Sequence, residues 1–193
     1  MKKLLLIALM TLVNFFAYAQ SIEPAPENKA VIYFVRSSSL GFAINFTYFD
    51  GPKVIGRFNG PKFLRYECEP GEHLFWARSE NRDYVQANLE AGEIYVIHVV
   101  PQMGGIKAGV RLVPINSPNY EMKKIQKLLT KGYSESFTEK ELENLQLQME
   151  DVTIRGLNKF EKSGEKAEML KGLTFSPEEL IYVKKKKSTQ DDI

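Results

Sequence analysis

Four turn pairs punctuate the chain between Lys29 and Ile115: Asp50-Gly51, Asn59-Gly60, Pro70-Gly71 and Ala91-Gly92. Short aromatic or β-branched runs lie between them. Glycine at such places supplies the positive φ that tight turns need. Runs this short and closely spaced make strands, and they select a sandwich or barrel over alternating βα units. The spacing predicts strands at Ala30–Arg36, Phe42–Phe49, Lys53–Phe58, Phe63–Glu69, His73–Arg78, Tyr84–Leu89, Ile94–Val100 and Val110–Ile115. Two segments, Val31–Val35 and Ile94–Val100, are apolar almost throughout, which predicts central strands covered on both faces. The others alternate, with one face toward a core.

Beyond Ser117 the period changes to that of helices. Ser117-Pro118 is a helix start, with Met122, Ile125, Leu128 and Leu129 on one face and Gly132 as a left-handed stop. Thr138 and Glu141 form a capping box for a second helix. Its stripe of Leu142, Leu145, Met149 and Val152 runs toward Phe160, and Gly156 is expected to weaken or bend it. Ser176-Pro177-Glu178-Glu179 caps a further turn before the Lys184–Lys187 run. The stripes are expected to fold back on the sandwich, with self-association through the helices as the alternative.

The first nineteen residues bear on location. Lys2 and Lys3, an apolar run from Leu4 to Val13, and Ala17-Tyr18-Ala19 compose a signal peptide cut before Gln20. The apolar run is too short to span a bilayer. Removing this leader from the 193 residues leaves 174, enough for one domain with an appendage. The 26 basic residues then fall to 24, equal to the 24 acidic ones. That balance excludes the broad basic field of a nucleic-acid binder. Cys68 is the sole cysteine, so the core must hold without an intramolecular disulfide. The chain thus divides into a signal peptide (1–19), an extended lead-in (20–28), a β-sandwich domain (29–116), a helical extension (117–171) and a basic tail (172–193) expected to be disordered.

The β segment, on Val31-Ile32-Tyr33-Phe34-Val35-Arg36, Asp50-Gly51, Pro70-Gly71-Glu72-His73, Ala91-Gly92-Glu93-Ile94-Tyr95-Val96 and Val110-Arg111-Leu112, resembles small β-sandwich domains of exported bacterial proteins, the PEGA-like kind, whose function is not assigned. The resemblance covers roughly residues 29–115. It implies a β-sandwich for that segment; with the helical half, which falls outside the resemblance, the expected fold is mainly β with an α extension, an antiparallel, immunoglobulin- or transthyretin-like sandwich followed by two helices. It implies no reaction and carries over no catalytic residue. Relatives often bear a lipoprotein cysteine after the leader; this chain has none there, so no stable membrane anchor is expected.

Candidate site residues are few. A hairpin turning at Pro70-Gly71 would set Cys68 opposite His73, Tyr66 opposite Phe75 and Arg65 opposite Trp76. A thiol beside an imidazole can become a reactive thiolate or contribute to a metal site. The competing reading is a buried thiol on an aromatic face. Arg65 over Trp76 would be a cation–π pair. His98, flanked by Ile94, Val96 and Val100, reads as a core histidine hydrogen-bonded to a neighbour. Gly104-Gly105 with Gly109 reads as a connecting loop, not a nucleotide site. Phe42, Phe46, Tyr48 and Phe49 belong to the most aromatic strand, where packing competes with an exposed edge that captures a peptide by strand addition.

The expectation is an exported, non-enzymatic binding or envelope-interaction module in the periplasm or outside the cell, without catalytic residue, cofactor or metal. Its partner would be another envelope protein or a peptide, met through sheet edges, the Leu40–Phe49 segment and the helical arm. A small-molecule or metal binder using Cys68 and His73 is the first alternative. A hydrolase built on carboxylates such as Glu67, Glu69 and Glu72 is the second.

Overall fold

The computed structural model describes residues 22–103, 108–163 and 167–184. The leader expected at Met1–Ala19 and the Gly104-Gly105 loop lie outside these residues. Among the described residues ten strands form two sheets: β1 (Ala30–Arg36), β2 (Phe46–Asp50), β3 (Lys53–Phe58), β4 (Lys62–Cys68), β5 (Gly71–Arg78), β6 (Arg82–Leu89), β7 (Ile94–Met103), β8 (Ala108–Pro114), β9 (Ser134–Glu135) and β10 (Glu168–Leu170). One sheet has the order β8-β7-β1-β4-β9 and the other β10-β6-β5-β2-β3. The β-sandwich followed by helices is therefore the observed fold. Most pairs are antiparallel, but β1–β7, β4–β9 and β6–β10 run parallel.

β1 shows why its sequence lacks alternation. Ala30, Ile32 and Phe34 point between the sheets, while Val31, Tyr33 and Val35 point outward, and all six are buried. The outer face is covered by α1 (Lys123–Lys131), by Ile22 of the lead-in, and by Leu173, Phe175 and Leu180 from the C-terminal segment. The other sheet's outer face, with Phe49, Val54, Trp76 and Tyr84, is covered by α2 (Glu139–Ser163) through Leu145, Met149, Val152 and Phe160. The molecule is thus four layers deep: helix, sheet, sheet, helix. Both helical stripes are spent on the sheets, each helix burying one apolar face as its periodicity requires.

Several expectations are corrected. β2 begins at Phe46, not Phe42, because Arg36 holds the preceding segment in a coil. Its guanidinium, fully buried, donates to the carbonyls of Ile44 (2.6 Å), Gly41 (2.7 Å) and Leu40 (3.2 Å) and lies 4.0 Å from the Phe46 ring centroid. α1 starts at Lys123, since Ser117 and Pro118 form a local turn in which the Ser117 hydroxyl accepts the Asn119 N–H (3.2 Å). Gly132 ends that helix in an extended conformation (φ −88°), not a left-handed one. Gly156 neither breaks nor ends α2, which runs through it. The Thr138–Glu141 capping box forms as expected: each backbone N–H donates to the other's side chain, at 2.8 and 3.3 Å. The tail is not a solvated extension over Gly172–Lys184. Leu180 is fully buried, and the Phe175 N–H donates to the Ile94 carbonyl (2.9 Å); residues 185–193 lie outside the described set.

Two of the edge strands, β8 and β3, have backbone groups claimed by side chains, which limits strand addition there. Along β8, Asn81 accepts the Val110 N–H (2.7 Å) and donates to its carbonyl (2.9 Å), while Asp83 accepts the Leu112 N–H (2.6 Å). On β3, Gln146 of α2 accepts the Val54 N–H (2.8 Å) and donates to the Pro52 carbonyl (3.0 Å).

Candidate functional site

Pro70-Gly71 does not close a hairpin. β4 pairs with β1, and β5 pairs with β2 and β6, so the chain passes there from one sheet to the other. The residues expected to face along a ladder instead face across the sandwich, with the Tyr66 and Phe75 rings edge to face at 6.4 Å. Arg65 and Trp76 end on opposite outer faces, so their cation–π pair does not form. Arg65 pairs with Glu67, and Trp76 stacks on Phe49 at 3.7 Å beneath α2.

At this end of the sandwich His73 is committed on both ring nitrogens. Nδ1 is 2.9 Å from each Asp50 carboxylate oxygen, and Nε2 is 2.8 Å from the Glu69 carbonyl. A carboxylate and a carbonyl only accept, so both nitrogens carry protons and the ring is an imidazolium. The Asp50 bond, then the nearby Cys68 sulfur, push its pKa up to about 10. Tyr66 donates to Asp50 (3.1 Å), and burial together with that carboxylate raises its own pKa. Cys68 is buried, its thiol directed at the Ala30 carbonyl (3.8 Å). The expected Cys68–His73 pair is thus close in space but offers no lone pair on the ring for a base or a metal. Among the described residues no group of three or more His, Cys, Asp or Glu side chains could hold a metal ion. Glu67 and Glu69 are engaged by Arg65 and Lys29.

The aromatic candidates separate sharply. Phe46 and Tyr48 are fully buried between the sheets, and Phe49 is fully buried beneath α2, so none of them can touch a partner. Phe42 is 68% exposed, with Leu40 and Ile44 beside it on the segment that Arg36 holds.

The opposite end of the sandwich carries a cleft of about 620 Å³. Ser37, Ser38 and Ser39, leaving β1, form one wall. Lys124, Lys127, Lys131 and Gly132 of α1 and its end form the other, and His98 and Val100 of β7 line the floor. Positions 124, 127 and 131 share one helical face, next to the apolar stripe that seats α1 on the sheet. Lys127 lies 5.0 Å from the Tyr182 ring centroid. No carboxylate pairs with Lys124 or Lys131 among the described residues. His98 Nε2 is 2.9 Å from Ser37 Oγ, and Nδ1 is 2.7 Å from the Tyr120 hydroxyl. Burial, then the charge of Lys124, hold its pKa below the ordinary histidine value, so the ring is neutral at pH 7. The expected hydrogen-bonded histidine is found, but at a cleft floor, not in a closed core.

Sequence reasoning passed over the Ser37–Ser39 run and the lysine spacing of α1. The usable signal was a basic face beside the Ile125–Leu129 stripe; what it faces depends on the fold. A second hollow, of about 490 Å³, is bordered by Arg82, Arg155, Asn158, Lys159 and Lys162; it has neither hydroxyl donors nor a histidine. Comparison with protein-family models, curated proteins and solved structures gives no match, so the site is read from its geometry alone.

Proposed function

We propose that this protein is an exported, non-enzymatic binding module, and that its ligand places an anionic group in the cleft between Ser37–Ser39 and α1. The leader pattern and the likeness to exported PEGA-like domains support the location. One observation carries the site: three lysines on a single helical face stand opposite three serines, in a concavity with no internal counter-ion among the described residues. Ammonium and hydroxyl groups together recognise phosphate or carboxylate oxygens, and the concave wall partly shields those charges from solvent.

The test is a titration of isotopically labelled protein with inorganic phosphate, followed by NMR. Amide shifts should concentrate at Ser37–Ser39 and Lys124–Gly132, and the His98 midpoint should rise from below about 6.5 as an anion favours its charged form. The triple change Lys124→Gln, Lys127→Gln, Lys131→Gln should abolish both effects. No shift at millimolar phosphate, or shifts elsewhere, would reject the site.

The Ser37–His98–Tyr120 chain supports a second reading, a hydrolase with Ser37 as nucleophile. The hydroxyl is within reach of a neutral imidazole that a third group orients. Covalent labelling of Ser37 by a fluorophosphonate, lost on His98→Gln, would favour this reading over pure binding.

A further inference from the structure

The rim of the cleft carries a second feature that a small free anion would not use. Leu40 (45% exposed), Phe42 (68%) and Ile44 (37%) follow Ser39 directly, Tyr133 (79%) follows Gly132, and Val183 (75%) follows Tyr182. Tyr182 is fixed to α1, its N–H donating to the Thr130 hydroxyl (2.9 Å) and its ring beneath Lys127. Lys184, next in the chain, is also exposed. Exposed apolar side chains therefore continue the chain from both sides of the cleft, next in sequence to the serines and to the end of α1 that line it. The apolar loop is not a slack segment, because Arg36 pins three of its carbonyls from within the core. Solvent-facing apolar side chains on a pinned loop, near lysines that no carboxylate pairs with among the described residues, match a boundary where hydrocarbon adjoins negative charge.

We infer that this end docks on the surface of a bilayer containing anionic lipid. Phe42, Leu40 and Tyr133 enter the acyl boundary while Lys124, Lys127, Lys131 and Lys184 meet headgroup phosphates. This rests on the anion site proposed above and names its ligand. No helix of the described residues is long and apolar enough to cross a membrane. The strength of the contact follows from charge complementarity: each lysine near an acidic surface strengthens binding about fivefold, an effect that salt screens.

The experiment is co-sedimentation of the chain from Gln20 to Ile193 with vesicles of phosphatidylcholine alone, or with a quarter of that lipid replaced by phosphatidylglycerol. Binding should require phosphatidylglycerol and fall with added salt. The triple change Lys124→Gln, Lys127→Gln, Lys131→Gln should weaken it about a hundredfold. Phe42→Ser should weaken it about tenfold or more, without altering the phosphate-induced NMR shifts. All four positions are on the surface, and the near-ultraviolet circular dichroism of the single, buried Trp76 verifies that each variant is folded. Phosphate shifts at the cleft without sedimentation would overturn membrane docking and leave the anion site standing, with a soluble ligand as occupant. Sedimentation indifferent to both variants would overturn it as well, by placing the lipid contact elsewhere. Loss of both signals would remove the anion site and the membrane reading together.

Discussion

Gly156 lies directly against the Trp76 indole: a Cβ built at position 156 would meet Cη2 at 2.6 Å and Cζ3 at 2.9 Å. The Gly156 carbonyl also accepts the Tyr84 hydroxyl at 2.9 Å. A residue that weakens a helix in isolation is what lets α2 settle on the sheet. In an open helix Gly→Ala gains about 1 kcal/mol. Here Gly156→Ala should instead lose about 1–2 kcal/mol, because overpacking a rigid ring outweighs the propensity gain. Urea denaturation gives the sign, and a stabilised variant would show that α2 sits farther from the sheet.

Trp76 is fully buried, stacked on Phe49 and held by an Nε1–H bond to the Gly51 carbonyl (2.8 Å). Trp76→Ala should cost about 3–5 kcal/mol, the range for truncating large buried aromatics. A melting temperature unchanged within error would place the indole at the surface.

Asp50 and His73 give stability an alkaline dependence. The folded-state pKa of His73 is about 10, above its unfolded value near 6.5. Its stabilisation is therefore complete below about pH 6.5 and lost as pH rises through about 10. The loss is on the order of 3 kcal/mol across that window. Thermal unfolding of the parent chain at pH 7 and pH 10 should show the decline, and His73→Gln should flatten it. Parallel curves for the two proteins would mean that the ring is not held as a cation.

Arg36 should be irreplaceable by lysine. A guanidinium fork reaches three carbonyls at once, whereas an ammonium on a flexible stem cannot match that geometry. Arg36→Lys should destabilise by about 2–4 kcal/mol through lost charge-assisted bonds to buried carbonyls. Hydrogen exchange across Ser37–Ile44 should accelerate well beyond that of the flanking strands. Unchanged protection in that segment would show that the loop holds itself.

What the sequence disclosed, and what it withheld, follows from the range of each interaction. The unbroken apolar run of β1 announced a strand covered on both faces, because burial on two sides leaves a mark on every residue. The Thr138–Glu141 cap was legible because its bonds are local. Pro70-Gly71 was misread: a turn pair says that the chain reverses, and says nothing about which sheet receives the next strand. The Cys68–His73 proximity was therefore anticipated, but not the Asp50 carboxylate that claims the ring, since β2 reaches it from another part of the chain. Phe42 and Phe46 have the same side-chain chemistry, and the buried Arg36 that holds the loop between them separates a solvent-facing ring from a core one. The lysines of α1 became a site only when the fold set them opposite Ser37–Ser39.

Leu180 packs on the outer side of β1, near the opposite end of the chain. The outer face of β1 is thus sealed by residues that follow both helices in the chain, so closure of that face waits on the segment beyond α2. Until that segment docks, the strand keeps one greasy flank uncovered, and a chain cut at Gly172 would offer that flank to any apolar surface it met.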